Sequence, residues 1–435
     1  MIYTREIPEN NEYDVIVAGG GPAGCAAATA SARLGAKTLL IEASGCLGGM
    51  ATIGLVPAWT PYSDGEKIIY NGISEEVFRK ASKAIPFADV DKNSDWVSID
   101  AEALKLVYDK LVVGSGANVL FNTSVCDVIS EGNRVSKVIV SNKAGLCAYG
   151  AKAFVDCTGD ADIAYSVGVP TLTGDDGEVQ PSTLCFTLTG VNEDKYDELG
   201  NMYASSSTTK IFEMIADEDL PLIKDTHICQ SHINYGVVGF NAGHLFNVDS
   251  TNPESVSHAI IEGRELAHEF DMGLKKYCPE VYGNAHLTAT APSVGVRESR
   301  RIVGEYVLTV DDYVACRTFY DDIGRNCYFV DIHNPLSTGE KLKTPDAVQK
   351  SEDKRLHLER GQSHGIPYRC LVPKGVDNLL VAGRTISTDR SVQGSTRVMP
   401  VCLVTGEAAG KAAAIIAKND CKANQVFDKF PNEMK

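Results

Sequence analysis

The sequence predicts an α/β fold: a three-layer unit with a parallel sheet, built from both ends of the chain around an inserted α+β segment. Three observations predict it. A β-branched strand runs into a glycine-rich turn and an alanine-rich helix near the N-terminus. A second apolar strand, followed by a long Ala/Gly helix, lies near the C-terminus. Between them, residues 169–365 lack this pattern and read as a substrate or cap domain. That leaves 1–168 and 366–435 to form the main domain.

Tyr13-Asp14-Val15-Ile16-Val17-Ala18 is the first buried strand. It enters Gly19-Gly20-Gly21-Pro22-Ala23-Gly24, which contains GxGxxG at Gly19, Gly21 and Gly24. Gly19 permits the tight turn, Gly21 lets backbone approach a pyrophosphate, and Gly24 allows close helix–strand packing. The alanine-rich stretch to Leu34 is a strong helix former, and Gly35 is placed to end it. The helix start offers unpaired N–H groups and a positive dipole to phosphates. A second strand, from Lys37 to Ile41, finishes on Glu42, where an acid accepts hydrogen bonds from ribose hydroxyls. Strand, turn, helix, strand and acid in this order form a Rossmann-type dinucleotide-binding unit.

A second glycine loop follows at once: Ala43-Ser44-Gly45-Cys46-Leu47-Gly48-Gly49-Met50-Ala51-Thr52. Ala153 to Asp156 reads as a strand running into Thr158-Gly159-Asp160. Asp377-Asn378-Leu379-Leu380-Val381-Ala382 is a strand stopping at Gly383-Arg384, and Arg397-Val398-Met399-Pro400 opens the long helix. Together these segments resemble the flavoprotein superfamily of glutathione-reductase-like and fumarate-reductase-like folds. Within it, the chain is most similar to the bacterial FAD-dependent oxidoreductases, also through Ser293 to Arg301 and His364 to Tyr368.

The resemblance implies an FAD-dependent oxidoreductase that moves a hydride between a small-molecule carbon and flavin N5. It implies cofactor contacts from Gly19, Gly21, Pro22, Ala23, Gly24, Glu42, Ala43, Gly48, Gly49, Met50 and Ala51. Further along, it implies contacts from Val125, Thr158, Gly159, Asp160, Gly383, Arg384, Val398 and Met399. The C-terminal helix would point its N-terminus at the pyrimidine edge of the flavin, where reduced flavin carries negative charge. No histidine lies in the second glycine loop, which implies non-covalent FAD. Cys46 is open to three readings: packing, a thiol near the flavin, or a covalent attachment point. No second strand-borne GxGxxG and no CxxxxC follows Glu42, so a separate nicotinamide domain and a disulfide reductase are not expected.

In the middle segment, Ser182 to Leu188 reads as a strand of a mixed sheet, and Ser255 to Tyr277 has helical spacing. Arg297, Glu298, Arg300 and Arg301 form a charged constellation. Its arginines can hold a substrate carboxylate bidentately, or Glu298 can bind them into an interdomain ion-pair network; both readings stay open. His364 and Tyr368 are candidate acid/base groups. Arg384 and Arg397 can stabilise reduced flavin or bind an anionic substrate.

A net charge of −16 over 435 residues argues against nucleic acid, whose recognition draws on Lys and Arg. The polar N-terminus resembles no signal peptide, and no apolar stretch reads as a membrane span, so a cytoplasmic enzyme is expected. The 13 cysteines are scattered and never spaced CxxC, which supports neither zinc nor a redox dithiol. An alternative is an FAD-binding protein with a non-redox or modification role, similar to tRNA-modification enzymes or thiazole synthases. Substrate, reaction direction and oligomeric state are not readable from the sequence.

Overall fold

The structure, a computed structural model, describes residues 4–88, 90, 95–174, 178–200, 202–333, 345–352 and 355–434. The N-terminal part comprises β1 (Val15–Ala18), α1 (Pro22–Arg33), β2 (Thr38–Ile41), α2 (Ala101–Gly114) and β3 (Asn118–Leu120). An antiparallel meander follows: β4 (Ser124–Glu131), β5 (Arg134–Asn142) and β6 (Gly145–Gly150). The chain then returns through β7 (Ala153–Asp156).

The central part holds β8 (Phe186–Thr189), β9 (Ile228–Asn234), β10 (Val237–Ala242), α3 (Pro253–Tyr277) and β11 (His286–Thr290). The C-terminal part adds β12 (Leu379–Val381) and α4 (Met399–Asn419).

The parallel sheet runs β12-β7-β1-β2-β3, so a strand from near the C-terminus pairs with one that pairs with β1. Its strands are continuous apolar runs because both faces are covered. Val15, Val17, Leu40, Val155 and Leu380 pack on the helical layer. Their alternate neighbours Ile16, Leu39, Ile41, Phe154 and Leu379 pack on Val135, Val138 and Val140 of the meander. The three layers are therefore helices, parallel sheet and meander.

Helices α1 and α4 lie backbone to backbone. A Cβ added at Gly410 would sit 2.1 Å from the Ala27 carbonyl oxygen, and one at Gly406 would sit 2.1 Å from that of Ala23. Gly410→Ala is expected to destabilise the fold by about 1–3 kcal/mol, because backbone cannot yield there as a side chain would. A lowered urea midpoint with unchanged slope checks it.

Helix α4 is, among the described residues, the one helix long and apolar enough to cross a membrane, which the sequence reading did not expect. Yet 83% of its most apolar stretch is buried in protein, so the apolarity serves packing.

The central segment forms an antiparallel sheet, β9-β10-β8-β11, over which α3 lays Leu266, Phe270 and Leu274. Phe186 and Phe240 stack within this core at 4.9 Å. Helix α3 starts where the Asn252 side chain accepts from the Glu254 and Ser255 backbone N–H groups, with Pro253 in the first turn.

Candidate active site

One cavity of about 1580 Å³ runs from the glycine turn after β1 to the ends of β9 and β10. A pocket for one small ligand spans roughly 300–1,000 Å³, so this one has room for a dinucleotide and a second molecule.

At the first end, Gly19 has φ +91°, and a Cβ there would collide with the Cys157 carbonyl. Gly21 meets nothing within 4 Å of a would-be Cβ, so its backbone stands open to the cavity at the start of α1. Pro22, Ala23, Ala43, Gly49 and Met50 complete this wall. Glu42 ties the two glycine loops together: its carboxylate accepts from Gly20 N–H at 2.5 Å and Ser44 N–H at 2.7 Å. Opposite lie Thr158, Gly159, Asp160, Gly383, Arg384, Val398 and Met399. Arg384 pairs with Asp160 at 3.1 Å, while its buried Nε has no partner. Burial would raise the Asp160 carboxyl, but Arg384 and the Ser299 and Ser250 hydroxyls together outweigh it and hold the group low.

Four expected cofactor positions lie off this wall. Gly24 is behind it, where a Cβ would sit 1.7 Å from the Gly19 carbonyl oxygen. Gly48 donates its N–H to Gly20 O at 2.8 Å, and Ala51 is fully buried, so both shape the loop from behind. Val125 pairs with Val140 in the meander and packs on the sheet's far face.

The second end is set by a hairpin register. Ile228 of β9 faces Ala242 of β10, and Gly243 N–H reaches His227 O at 2.8 Å. His227 and His244 thereby stack at 4.2 Å with rings 4° from parallel. His244 Nε2 lies 3.0 Å from His333 Nδ1, and His244 Nδ1 lies 3.1 Å from Asp225 Oδ2. His333 Nε2 is 3.3 Å from Asp331 Oδ2, which also takes the Tyr328 hydroxyl and Arg397 Nη2, each at 3.1 Å. Burial alone would raise Asp331, but His333, Arg397 and Arg355 outweigh it and hold the carboxyl well below the usual range. Burial, reinforced by His244 and Arg297, keeps His227 neutral.

The three imidazoles each bring a nitrogen within 4.8 Å of the others. They do not converge on one ion: two parallel stacked rings cannot both aim an in-plane lone pair at the same point. Arg297 also occupies His227 Nε2, at 3.0 Å.

Arg297 lines this end and is nearly buried. Its Nη1 donates to Pro181 O at 2.7 Å and Thr183 Oγ1 at 2.8 Å, and its Nη2 to His227 and to Asn241 Oδ1 at 3.4 Å. Every one of these acceptors is neutral. Burial and the nearby Arg397 push the guanidinium down to about 10, so it stays cationic at neutral pH.

The other catalytic candidates are corrected by their surroundings. Glu298 is fully buried off the cavity, between Arg301 Nη1 at 2.7 Å and Arg390 Nε at 3.1 Å. Arg300 lies over the Tyr165 ring at 3.8 Å and binds Asp162, also off the cavity. His364 is sealed in a strand pair, its Nε2 3.1 Å from Asn326 Nδ2, and burial pushes it down to about 4. Tyr368 is buried and donates to Ala423 O at 2.9 Å. Arg297 and Arg397 are the expected catalytic residues that do reach the cavity. Asp225, His227, His244, Asp331 and His333 had no motif to mark them; only the spacing Asp225-x-His227 before a strand hints at a paired site.

A parallel-sheet domain with a glycine-turn cradle, opening into a cavity that ends in arginine, imidazole and carboxylate groups, is the architecture of a nucleotide-cofactor enzyme. The chain belongs to the FAD dependent oxidoreductase family, which matches residues 14–433, and FAD is its cofactor. Thiamine thiazole synthase of Methanococcus vannielii is 29% identical over 165 residues, covering 36% of this chain and 60% of that one. Mitochondrial dihydrolipoyl dehydrogenase of Schizosaccharomyces pombe is 35% identical over 80 residues, 18% of this chain and 15% of that one. The chain thus spans less than two thirds of either relative. A geranylgeranyl bacteriochlorophyll reductase-like protein from Thermoplasma acidophilum shares the fold at TM-score 0.50 and 13% identity, over 98% of this chain and 83% of that one.

Proposed function

We propose that the enzyme transfers a hydride between flavin N5 and a carbon of a small carboxylate-bearing substrate. FAD would be held by Gly21, Pro22, Glu42, Gly49, Met50, Thr158, Arg384, Val398 and Met399. The fit rests on the open Gly21 backbone at a helix start and on the partnerless Arg384 Nε. Residues 169–365 would act as the substrate domain on a cofactor domain of 1–168 and 366–435. When bound, FAD supplies a two-electron hydride acceptor or donor, which no side chain here provides.

The observation that carries the reading is Arg297. A buried guanidinium whose direct acceptors are all neutral has no carboxylate in contact, Asp331 acting on it only from a distance, and such a charge is costly unless an anion joins it. It lines the same cavity as the dinucleotide cradle, so the anion is a ligand of that cavity. An anaerobic titration of the yellow holoenzyme with 2-hydroxycarboxylates tests this, with the matching neutral alcohols as controls. Bleaching by carboxylates alone supports it. Equal bleaching by the alcohols overturns it.

Glu42→Ala should weaken FAD binding about 10–150-fold, the equivalent of about 1.5–3 kcal/mol for charge-assisted hydrogen bonds. Quenching of flavin fluorescence on addition to apoprotein reads this directly.

A further inference from the structure

We propose that His227 binds the substrate, its Nδ1–H donating to a ligand oxygen other than the carboxylate carried by Arg297. The proposal rests on the reading that Arg297 takes a carboxylate in this cavity. It narrows the substrate class to carboxylates with a second oxygen acceptor, hydroxy or oxo.

A guanidinium has only hydrogens to give, so the atom facing it must bring a lone pair. Arg297 Nη2 lies 3.0 Å from His227 Nε2. Nε2 is therefore the unprotonated nitrogen, and the ring's hydrogen is on Nδ1. Asn241 Oδ1 also lies 3.3 Å from Nε2, but it takes the second Nη2 hydrogen at 3.4 Å. A hydrogen on Nε2 would set one N–H against another across the shorter gap.

The rest of the residue is tied down. Its backbone N–H donates to Asp225 Oδ1 at 2.7 Å, and its carbonyl takes Gly243 N–H at 2.8 Å. The ring stacks on His244 at 4.2 Å, and His333 stands edge-on to it at 5.1 Å. Among the described residues nothing accepts from Nδ1, although His227 lines the cavity. A fixed donor left unmet in a cavity wall orients whatever acceptor enters.

This donor and Arg297 take different groups of the ligand. The four Nη hydrogens of Arg297 go to Pro181, Thr183, His227 and Asn241, so Nε–H is the hydrogen left for a carboxylate. An oxygen on His227 Nδ1 lies beyond the ring, roughly 8 Å from Arg297 Nη2, whereas one on Nε–H lies within roughly 5 Å of it. The two oxygens of one carboxylate are only about 2.2 Å apart, so a single carboxylate does not bridge both donors.

The donor is a neutral imidazole. Burial, with His244, Arg297 and His333 adding to the descent, pushes His227 well below its ordinary value against the upward pull of Asn241. The nearby carboxylates are engaged elsewhere: Asp225 Oδ2 by His244, and Asp331 by His333, Arg355 and Arg397. No proton moves through this ring, because the Nε2 lone pair is taken and Nδ1 already holds its hydrogen. His227 orients the ligand and selects for its second oxygen.

Two measurements test it. Ring-nitrogen NMR of ¹⁵N-histidine-labelled holoenzyme at neutral pH should show an Nδ1–H imidazole that is lost in His227→Gln. An Nε2–H tautomer or an imidazolium for that ring overturns the proposal. The second measurement is the affinity of oxidised holoenzyme for 2-oxo- and 4-oxocarboxylates and for the unsubstituted acids of equal length, followed through the flavin spectrum. At least one oxo group should tighten binding about 3–10-fold, equally on either side of neutral pH, as one uncharged hydrogen bond does. In His227→Gln, whose amide oxygen still accepts from Arg297, that advantage should vanish while FAD is retained and the unsubstituted acids bind as before. A merely structural role would leave the advantage in place, and its persistence overturns the proposal. So does an advantage that fades as pH rises through the ordinary histidine range, the mark of an imidazolium donor. Should the Gln form lose flavin, His227→Asn sets an amide N–H near the Nδ1 position without reaching Arg297. The advantage should survive there, and its loss overturns the proposal. If the unsubstituted acids themselves fail to bind the native enzyme, the carboxylate reading fails and this proposal with it. If they bind and no oxo group helps, this proposal alone fails.

Discussion

Arg297→Ala is expected to keep its FAD and lose about 10²–10³-fold in the rate of flavin reduction by substrate, the size of effect seen when one preorganised hydrogen-bond donor is removed. The reason is placement. The guanidinium sits in the cavity wall, held from four sides by Pro181, Thr183, His227 and Asn241, none of which cancels its charge. That arrangement fixes a cation's position without neutralising it, which suits a group that must meet an anion in one orientation. Arg297→Lys should not rescue the rate, because an ammonium cannot span acceptors arranged around a planar fork. Stopped-flow absorbance under anaerobic conditions measures the rate, and flavin content after gel filtration measures retention. Loss of FAD from Arg297→Ala would make the residue part of the cofactor site and sink the assignment. A native rate would remove it from the chemistry altogether.

The two ends of this cavity differ in how far the sequence discloses them. At the dinucleotide end, the turn, helix, strand and acid lie within about thirty residues of Gly19, and each has a local mechanical requirement. Gly24 could be singled out because no other residue fits 1.7 Å from the Gly19 carbonyl oxygen, and that constraint is written in the residue itself. At the other end, Asp225, His244, Asp331 and His333 meet only through the β9–β10 register and the return of a distant loop. No spacing encodes such a meeting. His364 and Tyr368 show the converse error. Their closeness in sequence suggests a pair, but the strand His364–Pro367 turns the histidine into a sealed layer against Asn326. The meander Ser124–Gly150 carries no motif, which is why the sequence reading expects three layers without identifying an antiparallel meander as one of them.

Glu298→Ala is expected to cost about 3–5 kcal/mol of folding stability, the range for removing one member of a buried ion pair. Its carboxylate is fully enclosed and serves Arg301, Arg390 and the Gln180 backbone N–H at 3.0 Å. Without it, the Arg301 charge stays buried with no carboxylate beside it. Replacing all three together, with Glu298→Leu, Arg301→Met and Arg390→Met, should recover most of the loss, because a matched apolar cluster has no charge to desolvate. Denaturant unfolding of the single and triple variants measures both. The comparison also separates folding from function. Gln180 joins Gln393 at 3.1 Å, Gln393 donates to the Arg297 carbonyl at 2.9 Å, and the His333 backbone N–H reaches Gln180 at 3.2 Å. The ion cluster is thus wired to the backbone of both residues at the reacting end of the cavity. A triple variant that regains stability yet reduces flavin slowly would show that Glu298 positions Arg297 and His333. One that regains both would confine Glu298 to holding the fold.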